Sequence, residues 1–322
     1  MKLAVGFITY NDNSAKYLPE FLASLQASLE YLTKIDYQVY AYDNSVDNSR
    51  NRDIIENFNS PGFNIELIYQ NKNLGFGKAY NILIRQAAVR QCDYFLIVNP
   101  DTLLDERAVF ELVLALENDG ELASVAPKLL RWDFANRKKT EIIDSLGLIL
   151  SPGLKFTDLG QGGIDRREKN KAAILGPSGA AGLFRLSSLE KIAERKDNRE
   201  ERQYFDERLF MYKEDCDLAY RLFLMGFKSK LVDSALIYHD RTAAIHGRGI
   251  KAFFKTRRSK SRQIRAWSFR NQHLIFIKYW KYQSFGNRLL IIIKCFSLFI
   301  FSLILEQFLL KEYYIAFRLA KH

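Results

Sequence analysis

The sequence predicts an α/β fold: a mostly parallel central sheet with helices on both faces, followed by a helical C-terminal extension. Three observations predict it. Apolar runs of strand length alternate with amphipathic segments of helix length through roughly the first 130 residues, the pattern of parallel strands joined by helical crossovers. Polar residues cluster where each apolar run ends. Residues 248–322 then abandon the alternation for a basic, aromatic-rich stretch and a long apolar run.

The elements follow in order. "KLAVGFITY" is a strand that turns polar at Thr9, too short an apolar run for a secretory signal. "SAKYLPEFLASLQASLEYL" spaces its apolar positions as an amphipathic helix. "YQVYAYDNS" is a strand, "DNSRNRDIIENF" a helix opened by Asp, Asn and Ser, and "FNIELIYQN" a strand. "GFGKAYNILIRQAAVRQ" is a helix behind a Gly-containing turn, "DYFLIVNPD" a strand, and "DERAVFELVLALEND" a helix. From about Ala123 to Tyr238 the pattern is irregular, with short strands and turns in "EIIDSLGLILSPG" and "DLGQGG". "LEKIAERKDNREERQ" reads as a solvated helix end or loop. A helix in "YFDERLFMYKEDCDLAYRLFLMGF" stops at Gly226, and "KSKLVDSALIYHD" is a last strand ending at His239.

Charge divides the chain. Residues 248–322 hold 16 Lys+Arg against 2 Asp+Glu, a balance of +14; the whole chain carries +11, so residues 1–247 carry −3. This predicts two regions with different partners, 1–247 and a basic, apolar helical extension over 248–322. Cys92, Cys216 and Cys295 form no CxxC pair, which argues against a disulfide framework or zinc site and fits a reducing compartment. A cytoplasmic protein is expected. Within the extension, "LLIIIKCFSLFIFSLILEQFLL" (289–310) is interrupted by Lys294 and Glu306. A helix lying in a membrane surface is favoured there over a spanning one, beside polybasic residues suited to an anionic leaflet. Packing on the 1–247 region or on a second subunit is the competing reading.

Ligands of parallel sheets sit at the carboxyl ends of strands, where Thr9-Tyr10-Asn11, Asp43-Asn44-Ser45, Asn71/Asn73 and Asn99-Pro100-Asp101 fall. Asp43 is placed to accept from a base or ribose, and equally to close an Asx-turn or cap the helix at 47–58. "NKNLGFGKAYN" lacks both GxGxxG and a P-loop signature. Asp101 is a hard oxygen ligand suited to Mg²⁺ or Mn²⁺, which takes few carboxylates and completes its shell with phosphates, or else a helix cap. Asp206, Glu207, Glu214, Asp215 and Asp217 crowd a helix start, where an acid gains from the dipole and can serve as a general base. His239 is a metal ligand or a satisfied core histidine.

Together these pieces resemble the family 2 glycosyltransferases, and within them rhamnosyltransferase-like bacterial enzymes, over roughly residues 3–245. The markers stand in order: "FITYN", "YDNSVDNS", "NKNLGFGKAYN", "VNPD", "IIDSLG" with "DLGQGG", "GPSGAAGLFR", "FDERLFMYKEDCDLAYRL" and "YH". The resemblance implies a GT-A fold over 1–247, with a nucleotide-binding half (1–122) and an acceptor-binding half (123–247), and an inverting transfer from a nucleoside-diphosphate sugar to a hydroxyl. It implies that Asp43 contacts the base, that Thr9, Tyr10 and Asn11 line the nucleoside pocket, and that Asn73, Gly75 and Asn81 lie beside it. Asp101 becomes the metal carboxylate for Mg²⁺ or Mn²⁺, with Asn99 among the substrate contacts and His239 a second metal or diphosphate contact. Gly179, Ala180 and Ala181 pass close to the donor sugar, and Asp215 is the base with Glu214 its rival. The donor favoured is dTDP-rhamnose and the acceptor a lipid-linked saccharide of a bacterial surface polysaccharide, met at the inner face of the cell membrane. An oligomer through the C-terminal helices is possible. A nucleotidyltransferase would want a Gly-rich, basic triphosphate loop, which "FITYNDNSAK" does not offer, and no RNP, KH, zinc-finger or helix-turn-helix signal supports nucleic-acid binding.

Overall fold

A computed structural model describes residues 1–166, 172–195, 201–241 and 257–321. Strands β1 (Lys2–Thr9), β2 (Asp36–Asp43), β3 (Ile65–Tyr69) and β4 (Tyr94–Val98) are mutually parallel. Between them run α1 (Asn11–Ala15) with α2 (Leu18–Glu30), α3 (Arg50–Phe58) and α4 (Gly75–Val89). Next come β5 (Thr102–Leu104), α5 (Ala108–Glu117), β6 (Leu122–Asp133), β7 (Lys138–Ser145), β8 (Leu148–Ser151) and β9 (Lys155–Asp158). They are followed by β10 (Ala181–Arg185), α6 (Leu186–Ile192), β11 (Glu194–Arg195), β12 (Arg202–Gln203), α7 (Glu214–Leu224) and β13 (Lys228–His239). The extension supplies α8 (Arg262–Tyr279), α9 (Phe285–Ile304) and α10 (Leu310–Ala320).

One nine-stranded sheet runs β3-β2-β1-β4-β10-β6-β13-β5, with β7 paired to β6. The pairings set six strands in one direction and β5, β7 and β10 against them. The period-2 alternation of a strand sorts the core into two layers. Leu3, Val5 and Phe7 of β1 pack with α2, α3 and α5, whereas Ala4 packs with α4, α6 and α7. The mostly parallel sheet covered on both faces is the architecture expected from the sequence. The 122/123 division falls inside it, because β10 joins β4 to β6.

Local departures have physical causes. The expected helix over 14–32 is two helices, since Pro19 has no N–H to give and sits in the first turn of α2. The apolar run expected over 289–310 ends as a helix at Ile304. There Glu306 turns inward, buried, to pair with Arg257 at 2.5 Å and with Arg265. The extension is seated on the sheet domain. Ile275, Phe276 and Tyr279 of α8 and Ile291 of α9 share a cluster with Leu148, Leu154, Phe156, Cys216, Ala219 and Tyr220. The expected boundary at 247/248, and residues 196–200 of the charged stretch, lie outside the described residues.

Candidate active site

Pairing of β5 with β13 sets Thr102 opposite His239, so the β4–β5 turn brings Asp101 against the histidine. His239 Nε2 lies 3.4 Å from Asp101 Oδ2, and Nδ1 lies 2.8 Å from Asp144 Oδ2 on β7. Burial disfavours charge on the imidazole, but Asp101 and Asp144 outweigh it and push its pKa up to about 10. Arg241 donates to Asp144 at 3.3 Å and to Asp158 at 3.0 Å, and its own pKa is raised by them against burial. Burial works against the charge of Asp144 too, yet bonds from His239 and Arg241 hold it below the usual carboxylate range.

Opposite this strand end stands the start of α7. Phe210, Tyr212 and Lys213 ahead of it all have positive φ (59°, 75° and 76°), a conformation that non-glycine residues adopt only when surroundings impose it. Two contacts impose it here. Asn271 of α8, fully buried, donates through its amide to the carbonyls of Leu209, Met211 and Tyr212 at 2.6–2.8 Å. From the other side the Phe76 amide donates to the Phe210 carbonyl at 2.8 Å. Gly75 permits that approach: its φ is +78°, and a Cβ there would stand 2.4 Å from the Phe210 carbonyl oxygen. The turn so formed delivers Asp215, whose Oδ2 accepts from the Gly179 amide at 3.0 Å and whose Oδ1 accepts from the Cys216 amide at 2.8 Å.

These two ends face a single cleft of about 450 Å³, lined among others by Asn99, Asp101, Gly179, Ala180, Asp215 and His239. Lys213, Arg241 and Lys260 also line it. Burial and the neighbouring Arg241, Arg257 and Lys213 push Lys260 below its ordinary pKa. Glu214 shares the wall but is almost wholly buried, and burial, reinforced by Asp215 and Asp217, pushes its pKa up to about 8. Burial thus favours the protonated form of Glu214, whereas the Asp215 side chain is fixed at the cleft wall by two amides.

A divalent cation can be tested against these donors. Asp101 Oδ1 is buried with no hydrogen-bond partner, the state of an oxygen that lacks its counter-ion. A carboxylate oxygen and an imidazole nitrogen suit Mn²⁺ better than Mg²⁺, which prefers oxygen alone. No group of three or more ligating side chains occurs among the described residues, so phosphate oxygens would have to complete the shell. Asp101 fits on those terms; His239 fits only as the neutral imidazole, giving up the proton that Asp101 and Asp144 favour while Nδ1–H stays on Asp144.

Several expected contacts are otherwise employed. Asp43 has no exposed surface; it accepts from Thr9 (2.9 Å), Ser45 (2.7 Å), Ser49 (2.9 Å) and Arg52 (2.7 Å). Against burial, these bonds hold it below the ordinary carboxylate range. It knots β1 to the start of α3 and does not offer a base a free acceptor. Thr9 is likewise buried, spent on Asp43. Asn81 is buried, accepting from the Tyr204 and Phe205 amides and donating to the Phe205 carbonyl, so it braces 204–207. Ala181 is buried in the β10–β4 ladder opposite Val98. Tyr10 is exposed, and Asn11 is tied by its amide to Ser45 at 2.8 Å. Asn73 accepts from the Gly75 amide at 2.9 Å, and Asn44 links β2 to that turn through Leu74 and Gly75, next to cleft residue Phe76. The residues sequence reasoning passed over are Asp144, Asp158, Gln161, Lys213, Arg241 and Lys260. The first three stand in "IIDSLG" and "DLGQGG", motifs noted without a role.

The model of the family described as "Glycosyl transferase family 2" matches residues 5–192. Two strains of Mycobacterium tuberculosis (CDC 1551 / Oshkosh and ATCC 25618 / H37Rv) carry similar proteins, each named N-acetylglucosaminyl-diphospho-decaprenol L-rhamnosyltransferase. Each is 24% identical over 266 residues, covering 74% of this chain and 76% of the relative. Among solved structures, the mannosyltransferase PcManGT from Pyrobaculum calidifontis, in complex with GDP-Man and Mn²⁺, aligns with a TM-score of 0.48. It is 14% identical, over 99% of this chain and 85% of that one.

Proposed function

We propose that this chain, which belongs to glycosyl transferase family 2, moves a sugar with inversion from a nucleoside-diphosphate sugar to a hydroxyl of a saccharide acceptor. The observation that carries the proposal is that Asp101, with its partnerless buried oxygen, and Asp215, held by two amides, line the same cleft. An inverting displacement needs a proton acceptor on one side of the anomeric carbon and positive charge on the other, at the departing diphosphate.

Asp215 Oδ2 takes the proton of the acceptor hydroxyl while its oxygen bonds to the anomeric carbon. The bond from that carbon to the phosphate oxygen breaks, and nucleoside diphosphate departs with the electron pair. The Gly179 amide keeps the Asp215 side chain turned into the cleft at the start of α7. Lys213, Arg241 and Lys260 bring positive charge to the same space. Asp101 and a neutral His239 would hold a divalent cation, which would supply Lewis-acid neutralisation of the diphosphate.

Rhamnose, carried as dTDP-rhamnose, is the sugar proposed, supported by the rhamnosyltransferase names of the two relatives and by the ordered sequence markers. The acceptor proposed is lipid-linked and met at the cytoplasmic face of the membrane, which suits a basic extension carrying an exposed apolar helix. The test is release of nucleoside diphosphate with and without acceptor. Asp215→Asn should slow transfer about 10²–10⁴-fold with donor affinity kept; full activity in that variant sinks the assignment. A donor panel read by thermal shift with Mn²⁺ should single out the rhamnose nucleotide, since a ligand that binds the native state stabilises it by mass action.

A further inference from the structure

We infer that α9 lies flat in the surface of an anionic membrane, its exposed stripe immersed among the acyl chains and its other face kept on the catalytic domain. The inference rests on the membrane-surface reading above and gives it an orientation. It begins with the one helix among the described residues that is long and apolar enough to cross a bilayer, Phe285–Ile304, of which little is buried. Phe285, Leu289, Ile292, Phe296, Ile300 and Leu303 recur at helical spacing and are all exposed, Phe285 at 85% and Phe296 at 66%. An uncharged apolar face of this length is not tolerated by water without a partner.

The opposite face of α9 is occupied along its length. Asn287 accepts from the Gly153 amide at 3.2 Å. Lys294 donates to the Gly153 and Pro152 carbonyls at 2.7 and 3.3 Å. Ile291 is buried beside Leu148, Leu154 and Phe156 of the β8–β9 hairpin. Further on, Leu298 and Phe301 pack with Ala266 and Phe269 of α8 and with Leu309. A helix seated on a folded domain over its whole length cannot also cross a bilayer, so the apolar length that would permit spanning serves an in-plane position.

Charge selects the occupant. Only two acidic residues fall in 248–322, Glu306 and Glu312, and both are buried, Glu306 being spent on Arg257 and Arg265. Arg258, Arg262, Lys281, Lys311, Arg318 and Lys321 are exposed. On the described part of the extension, every exposed full charge is therefore positive. Beside the stripe, the ring of Trp280 stacks with Arg288 and that of Tyr282 with Lys281, an aromatic and basic rim of the kind found at headgroup level. A second copy meeting this face would bring cations against cations; a leaflet of anionic phospholipid brings the complement.

Full-length protein should co-sediment with vesicles of phosphatidylglycerol and phosphatidylcholine, and only weakly with phosphatidylcholine alone or in high salt. Lys281→Gln and Arg288→Gln should each lower vesicle affinity about fivefold. The double variant Ile292→Glu/Phe296→Glu should abolish binding while keeping its melting temperature and its nucleoside diphosphate release on a soluble acceptor. If it fails to fold, Trp280 fluorescence in a Trp132→Phe/Trp267→Phe background decides: bromines near the headgroups should quench it more than bromines at the chain ends. Equal binding to neutral vesicles, stronger quenching from the deep bromines, or a dimer in sedimentation that ignores vesicles would each overturn the inference. Vesicle binding lost with sugar transfer intact leaves the proposed function standing, and the reverse outcome removes that function but not this surface.

Discussion

Glu214 and Asp215 are adjacent acids with opposite surroundings. Asp215 takes two amide hydrogen bonds at the cleft wall, whereas Glu214 is enclosed, its Oε1 without a partner. Burial first, then Asp215 and Asp217, push Glu214 up to about 8 from its ordinary 4.5. A folded-state pKa above the unfolded one means the native form holds a proton that the unfolded chain releases. The stability this proton contributes is complete below pH 4.5 and is lost as pH rises to about 8. Over that window the loss is on the order of a few kcal/mol. Glu214→Gln should flatten it, raising the melting temperature at pH 8 far more than at pH 5; parallel melting curves for the two proteins across that range would refute the assignment. The rivalry between the two acids could not be resolved in "MYKEDCDL", because it turns on which neighbour the fold encloses. Asp43 shows the same limit. Its place at a strand end is plain in "YDNS", but the donors that occupy it come from residues 9, 45, 49 and 52, whose convergence exists only once β1, β2 and α3 have packed.

The segment 207–213 is the element on which the proposed base, Asp215, depends, and it is held from outside itself. Its left-handed residues have no glycine to ease them, so the three carbonyls that Asn271 binds keep the turn in place. Asn271→Ala leaves those carbonyls without a donor, at a cost of about 1–3 kcal/mol. The larger expected effect is on kcat, because the turn aims Asp215; the donor KM should rise only as far as Lys213 of the same turn loses its place at the cleft. Asn271→Asp, of the same shape but without the amide donors, should behave like the alanine variant. A variant that loses stability but keeps kcat would show that the bonds brace the fold and do not aim the base. Periodicity announced α8 only as a basic stretch with aromatics, since one asparagine about 60 residues from its partners leaves no local trace. Elements whose partners are near in sequence, such as β1, α2 and β2, were legible from alternation and length. β10, which runs antiparallel between β4 and β6, was not, because "GPSGAAGLFR" has too few side chains of its own to show a period.

At the scale of the whole molecule, the extension is a structural part of the catalytic unit. Lys278 Nζ sits 2.8 Å from both Asp206 and Asp217, and the Tyr279 hydroxyl donates to Asp217 at 2.6 Å. Asp217 has no exposed surface and also pairs with Arg221 of its own helix at 2.9 Å. Taking away α8 would leave Asp206 and Asp217 enclosed with part of their positive charge gone, and would uncover Cys216, Ala219 and Tyr220. Breaking a buried ion pair by removing one partner costs about 3–5 kcal/mol, a large share of the stability of an ordinary domain. A chain ending before Ser261 should therefore not behave as a soluble, active 1–247 enzyme freed of its anchor. It should melt early or aggregate, and its nucleoside diphosphate release should vanish together with its fold. A chain ending after Ser284 keeps Asn271, Lys278 and Tyr279 and loses α9 with its stripe. It should retain most of the transfer to a soluble acceptor, with vesicle binding gone. If the shorter chain folds with native melting and full turnover, then the clamp from α8 is dispensable and the catalytic turn is set by the sheet domain alone.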